Sequence, residues 1–283
     1  MFNNDLASAV ENFATLLLPL SEKDLEREWI WKDHDEEGIR FAVFVTIQEL
    51  RQLAVTLASK RKPVTQAQHI LGQYHKQYID LQSALFGLSE SQANQIPAEN
   101  EWSVRQVYAH ILGAEINFSA VIRYALEKHR AGNWSPERMS DEDDLRITGM
   151  NETEYHALTN GSFKDMLTFH RQFHPDLIQE FSTIADNELE LPSTFWEDTR
   201  FPIRHRLHRY EAHFIQHTVQ IDKTLHATNQ SPGETKRLIR YLFAALAEVE
   251  ANLIGEDNPQ EGCLQLAKTI NSRTEEIKSI LEK

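Results

Sequence analysis

An all-α protein is what this sequence predicts, and three observations carry the prediction. Only ten of 283 residues are glycine. Apolar residues recur at three- and four-residue spacing through almost every long segment. Helix-start signals stand at several of the expected boundaries, while strand-like alternation is scarce.

Taken in order, residues 4 to 18 and 37 to 60 read as helices that end at the basic, proline-containing linker Lys60-Arg61-Lys62-Pro63. The middle of the chain reads as four helices, 66 to 88, 103 to 130, 163 to 185 and 203 to 227. The second opens on the capping box Ser103-Val104-Arg105-Gln106. A long polar connection follows it, in which Ser140-Asp141-Glu142-Asp143-Asp144 is expected to be a solvated loop rather than a lid over a pocket. Two last helices, 232 to 255 and 259 to 282, start at Ser231-Pro232-Gly233-Glu234 and Asn258-Pro259-Gln260-Glu261, each pairing a cap residue with proline at the first helical position.

Four consecutive amphipathic helices are the material of a four-helix bundle. The expected organisation is an N-terminal helical pair over 1–61, the bundle over 62–228 and a C-terminal helical pair over 229–283. A lone helical hairpin offers too little core to bury its own apolar stripe, so the pairs are expected to pack on each other or on the bundle.

Composition narrows the function. A formal charge of -14 leaves no overall basic surface for phosphate neutralisation, so nucleic acid is not an expected partner. The single cysteine, Cys263, excludes an internal disulfide framework and a cysteine-rich zinc module. The early apolar run from Phe13 to Leu20 is short, contains Pro19 and follows acidic rather than basic residues, so neither a signal peptide nor a membrane span is expected and the protein reads as cytoplasmic.

Chemistry concentrates in the thirteen histidines. His213 and His217 lie four residues apart, which on a helix is about 40° of rotation and about 6 Å of rise, so two rings can grip one cation. His170 and His174 share that spacing, although Pro175 follows directly and is expected to kink the helix there. Spacing alone does not choose between the pairs. The face of His213 and His217 also carries Arg206, Arg209, Tyr210, Gln220 and Thr224, beside an apolar stripe of Leu207, Phe214, Ile221 and Leu225. His110, about a hundred residues earlier, shares its face with Ser103, Gln106, Asn117 and Tyr124. Polar strips bordering apolar ones are what two helices need to line a partly wet pocket. The alternative is that each histidine is a hydrogen-bonded residue at the margin of the core.

Residues 66 to 227 resemble the DinB/YfiT-like family of metal-binding four-helix bundles. The likeness rests on Trp102-Ser103 opening a helix that reaches His110 and runs on through Ile111-Leu112-Gly113-Ala114-Glu115, and on Arg209-Tyr210-Glu211-Ala212-His213-Phe214-Ile215-Gln216-His217. The resemblance implies a three-histidine metal site of His110, His213 and His217. It does not extend to residues 1–61 or 230–283.

Three neutral imidazoles leave coordination positions open, as catalytic metal sites do. Zinc, nickel, iron or manganese would accept these ligands. Such a divalent cation can polarise a carbonyl, activate water or hold a thiolate ready for attack. Members of the resembled family that use low-molecular-weight thiols imply the last role, a thiol-dependent S-transferase acting on a small-molecule substrate. Arg206 and Arg209 suit anionic thiols, since guanidinium binds carboxylate in a bidentate fork; solvated arginines of a first helical turn are the plainer reading. Tyr210, Gln220 and Asn117 complete the pocket expected around the metal. Glu115 and Tyr210 could polarise a bound water or donate to a substrate, but Glu115 points away from His110 on the helical wheel, and pairing with a neighbouring helix is the alternative for it. A metal-dependent hydrolase, or a non-catalytic metal-binding protein whose extra helices mediate association, remain the alternatives, and a homodimer is left open. No His-Glu-x-x-His, Glu-x-x-His, glycine-rich phosphate loop or Gly-x-Ser-x-Gly occurs.

Overall fold

The computed structural model describes residues 4–32, 38–133, 138–195, 199–256 and 261–283. Its α-helices, in chain order, are α1 (Asn4–Leu17), α2 (Glu22–Leu25), α3 (Ile39–Lys60), α4 (Gln66–Leu85), α5 (Glu90–Ala93), α6 (Val104–Arg130), α7 (Asp141–Thr148), α8 (Glu152–Thr159), α9 (Phe163–Phe181), α10 (Ile203–Ala227), α11 (Glu234–Ala251) and α12 (Glu261–Leu281). A 3-10 turn, Asp186–Glu190, and a two-stranded antiparallel ladder of β1 (Pro192–Ser193) with β2 (Phe201–Pro202) precede α10. The fold is all-α, as the periodicity predicts.

Local chemistry explains the boundaries. At α6 the Ser103 hydroxyl accepts from the Gln106 amide at 3.3 Å while the Gln106 side chain accepts from the Ser103 amide at 2.9 Å. Two helices, α7 and α8, form inside the connection expected to be a loop. Ser140 caps α7 through the Asp143 amide at 3.1 Å, and Asn151 and Glu154 cap α8 reciprocally at 3.0 and 2.9 Å. The acidic residues 141–144 fill the first turn of α7, where the helix dipole favours negative charge. Two further differences concern proline. Helix α11 begins at Glu234, with Gly233 rather than Ser231 at its cap, so Pro232 lies outside it. Helix α9 continues through Pro175. The cost of a proline inside a helix, about 3 kcal/mol, is offset there by burial of Leu177 and Phe181 and by tertiary bonds of His174. The expected start at Asn258-Pro259 lies outside the described residues.

The chain divides into two compact units. One comprises Met1–Pro63, Tyr78–Gly87 and Ser231–Lys283, and the other Val64–Gln77 and Leu88–Gln230, so that α4 contributes its first residues to one and its last to the other. In the first unit α1 and α3 each pack on both α11 and α12, which closes a ring of four helices. Phe13, Leu17, Leu50, Leu242 and Ile277 are buried there, each worth roughly 2 kcal/mol of apolar transfer. Buried Arg273 is held by Glu49 at 2.9 and 3.1 Å and by the Thr46 hydroxyl at 2.5 Å. Helix α3 is long and apolar enough to cross a membrane by length and composition, a test that core helices of soluble proteins also pass. Cys263 is buried on α12, and burial pushes its thiol up to about 11, away from thiolate chemistry.

In the second unit α6 is the common neighbour, touching α7, α8, α9, α10 and β1. The Arg123 guanidinium on α6 donates to both carboxylate oxygens of Glu180 on α9, at 2.7 to 3.0 Å. The first half of α4 brings Tyr74 and His75 against α9 and α10, where Tyr74 stacks on Tyr210 at 4.7 Å between ring centroids. Both faces of α6 thereby carry histidine chemistry, one toward α10 and one toward α9.

Candidate metal centre

Helices α6 and α10 bring His110, His213 and His217 together. The Nε2 atoms of His110 and His213 lie 3.1 Å apart, and one nitrogen from each of the three rings falls within 4.8 Å of the others. Ligands bound at about 2.0–2.1 Å around a tetrahedral zinc stand about 3.3 Å apart, so the His110–His213 spacing fits a shared cation and the group of three could hold one. His217 is oriented by its neighbour one turn on: its Nδ1–H donates to the Gln220 side-chain oxygen at 2.8 Å, which leaves Nε2 with its lone pair free for a metal. Burial, with His217, His110 and Arg209 nearby, pushes His213 down to about 3. His110 is lowered too, by burial and then by His217 and Arg209. Both rings are neutral at physiological pH, which is the state a metal needs.

The three rings lie at a cavity of about 440 Å³ that is also lined by Ala114, Asn117, Phe118, Tyr155, Phe195, Arg209 and Gln216. Asn117 and Arg209 are therefore at the pocket, as expected from the wheel. Gln220 acts on His217 from behind. Arg206 and Tyr210 do not line the cavity. Arg206 is buried and donates to the Ser193 hydroxyl at 3.1 Å and carbonyl at 3.3 Å, with its guanidinium near the rings of Phe195 and Phe201. Tyr210 is buried between Tyr74 and Phe118. A wheel assigns a side chain to a face but not to a depth, and these two point into the packing.

Tyr155 is a polar pocket residue that sequence reasoning missed, because it lies on α8, within the long connection. A capped-helix signal, Asn151-x-x-Glu154, stands directly before it. Its hydroxyl lies over Gly113 of α6, where an added Cβ would overlap it, and it shares the cavity wall with Asn117. Burial raises its pKa above the ordinary tyrosine value, so the hydroxyl keeps its proton as a donor. Tyr155 and Asn117 also line an adjoining cavity of about 540 Å³, together with Asp141 and Asp144.

The rival pair, His170 and His174, meets Glu115 on the other face of α6, and all three are buried. His174 Nδ1 lies 2.9 Å from Glu115 Oε1, and His170 Nε2 contacts Glu115 Oε2. Burial opposes the Glu115 charge, yet His170 and His174 hold its carboxyl down at about 2; burial pushes His174 to about 3 against the pull of Glu115. Glu115 thus pairs with a neighbouring helix, but within a second group of metal-ligating atoms that the wheel does not reveal. This group, too, could hold a cation.

A family model described as the DinB superfamily matches residues 73–221, more than half of the chain and the stretch that contains all six of these residues. No curated protein and no solved structure matches the chain.

Proposed function

The chain is a member of the DinB superfamily, and from that premise we propose that it is a metal-dependent enzyme, an S-transferase that joins a low-molecular-weight thiol to a small electrophile. One observation carries the reading: three imidazoles converge on the wall of a cavity that also presents a guanidinium, that of Arg209. A divalent cation held by His110, His213 and His217 would supply Lewis acidity that keeps a thiol deprotonated at neutral pH.

The chain's own residues do the rest. Arg209 offers a fork for a carboxylate of the thiol. Phe118 and Phe195 keep water from the reacting sulfur. Tyr155, its hydroxyl protonated, donates a hydrogen bond to the electrophile or its leaving group. Sulfur forms the new bond to carbon, the leaving group departs with the bonding pair, and the thiol proton passes to solvent. Gln220 fixes the His217 ring throughout.

The test is a panel of cellular thiols with a generic electrophile, run on protein loaded in turn with zinc, nickel, iron and manganese. Thiol-dependent turnover that disappears in His110→Ala, and whose KM for the thiol rises in Arg209→Gln, is the expected result. Absence of any rate above background with every metal and thiol rules the transferase out; metal-dependent ester or amide cleavage by the same samples would favour a hydrolase.

A further inference from the structure

The interior group on the other face of α6 has no part in that pocket. Glu115, His170 and His174 are 0% exposed, and so are Tyr74 and Tyr108 beside them. The donors converge: the Tyr74 hydroxyl contacts Glu115 Oε1 and lies 3.2 Å from His174 Nδ1, so a carboxylate, two imidazole nitrogens and a phenol surround one point. The far sides of both rings are held as well. Tyr108 hydrogen-bonds His170 Nδ1 at 2.8 Å, and His75 Nδ1 lies 3.1 Å from His174 Nε2. Rings with one nitrogen turned inward and the other clamped by a hydrogen bond are how proteins orient metal-ligating histidines.

Charge points the same way. Among the described residues the ion-pair partners of Glu115 are these two imidazoles, with no lysine or arginine on the carboxylate. A buried carboxylate with no lysine or arginine beside it offers a cation a ready partner. We propose that Glu115, His170 and His174, with Tyr74 as a fourth donor, hold a second divalent cation inside the unit, structural rather than catalytic. Two imidazoles and a carboxylate suit zinc, manganese or iron. The spacings of His174 Nδ1 to its Glu115 and Tyr74 neighbours, 2.9 and 3.2 Å, lie near the spacing of about 3.3 Å around a tetrahedral ion. With no donor exposed, the ion is acquired as the chain folds and exchanges slowly afterwards.

This inference is independent of the pocket's chemistry, and its test separates the two sites. The full chain is produced in medium supplemented with zinc, manganese and iron, and elemental analysis gives metal per chain before and after dialysis against EDTA. Wild type is expected to hold two ions and to keep one through dialysis. The triple variant His110→Ala, His213→Ala, His217→Ala leaves the interior untouched and is expected to keep that same single ion, releasing it to EDTA only in guanidinium. Glu115→Gln with His174→Gln is expected to lose it, with circular dichroism reporting whether the variant folds. A folded triple variant that carries no metal, even after refolding with each of the three ions, overturns the second site. One ion in that variant and one in wild type would instead remove the pocket site and leave this one standing.

Discussion

Two histidine groups flank one helix, and they differ in what closes on them. His110, His213 and His217 meet at a cavity wall, with His110 exposed and with Arg209 and Asn117 nearby. Glu115, His170 and His174 meet in the packing of α6, α9 and the first half of α4, sealed by tyrosines. The first group has room for a substrate and the second has none, which is why we propose reactivity on one face and cohesion on the other. A carboxylate appears only in the interior group, while the pocket group is made of imidazoles alone.

The largest expected effect tests the cohesive side. Glu115→Ala removes the acceptor shared by two buried imidazoles and a phenol, and it should lower stability by about 3–5 kcal/mol in urea titration. His213→Ala should cost about 1 kcal/mol or less in metal-free protein while abolishing pocket metal. Equal losses in the two variants would erase the distinction between the groups.

Acid should act on both groups through the same sign. His174 and His213 sit at about 3 in the folded chain against an ordinary value of 6.5. Between those values the unfolded chain binds protons that the folded chain refuses, so stability is full above pH 6.5 and falls as pH drops below it. Each group contributes roughly 2 kcal/mol of loss between pH 6.5 and 5.0 at about 1.4 kcal/mol per unit. Glu115, held near 2, keeps its charge through this range. A bound cation competes with protons at the same nitrogens and preserves the sign. Denaturation midpoints measured every half unit check the slope, and His174→Gln should roughly halve it.

Smaller effects sharpen the pocket side. Gly113→Ala drives a methyl into the Tyr155 hydroxyl and should cost about 1–3 kcal/mol in thermal or urea unfolding. Adding Tyr155→Phe removes the oxygen in the way, so the double variant should regain most of that loss; additive losses would mean that α8 does not rest on Gly113. Smallest of all, Gln220→Ala frees the His217 ring and should weaken metal binding by about tenfold, with stability unchanged, as read by competition with a chromophoric chelator.

Much of this molecule is legible in its residues. The eight long helices are found by their spacing because a helix buries a stripe, and a stripe must repeat every three to four positions. Helices α7 and α8 have no buried residues, so no stripe marks them, and only their caps Ser140 and Asn151 do. His110, His213 and His217 are readable because a pair four apart on one helix must face the same way, with the third residue supplied by the family resemblance. The same rule picks out His170 and His174, where proline-based reasoning argues against the helix that tertiary contacts in fact sustain.

By itself, then, the sequence determined the eight long helices, the all-α class and the two pairs of histidines able to act together, because these depend on neighbours within a turn or two of the chain. Only tertiary structure decided depth and partnership. It turned Arg206 and Tyr210 into the packing, laid Tyr155 over Gly113, and joined Glu115 to histidines more than fifty residues away. Helical periodicity specifies a direction around one axis; which other axis lies there, and how closely, is a property of the packed whole.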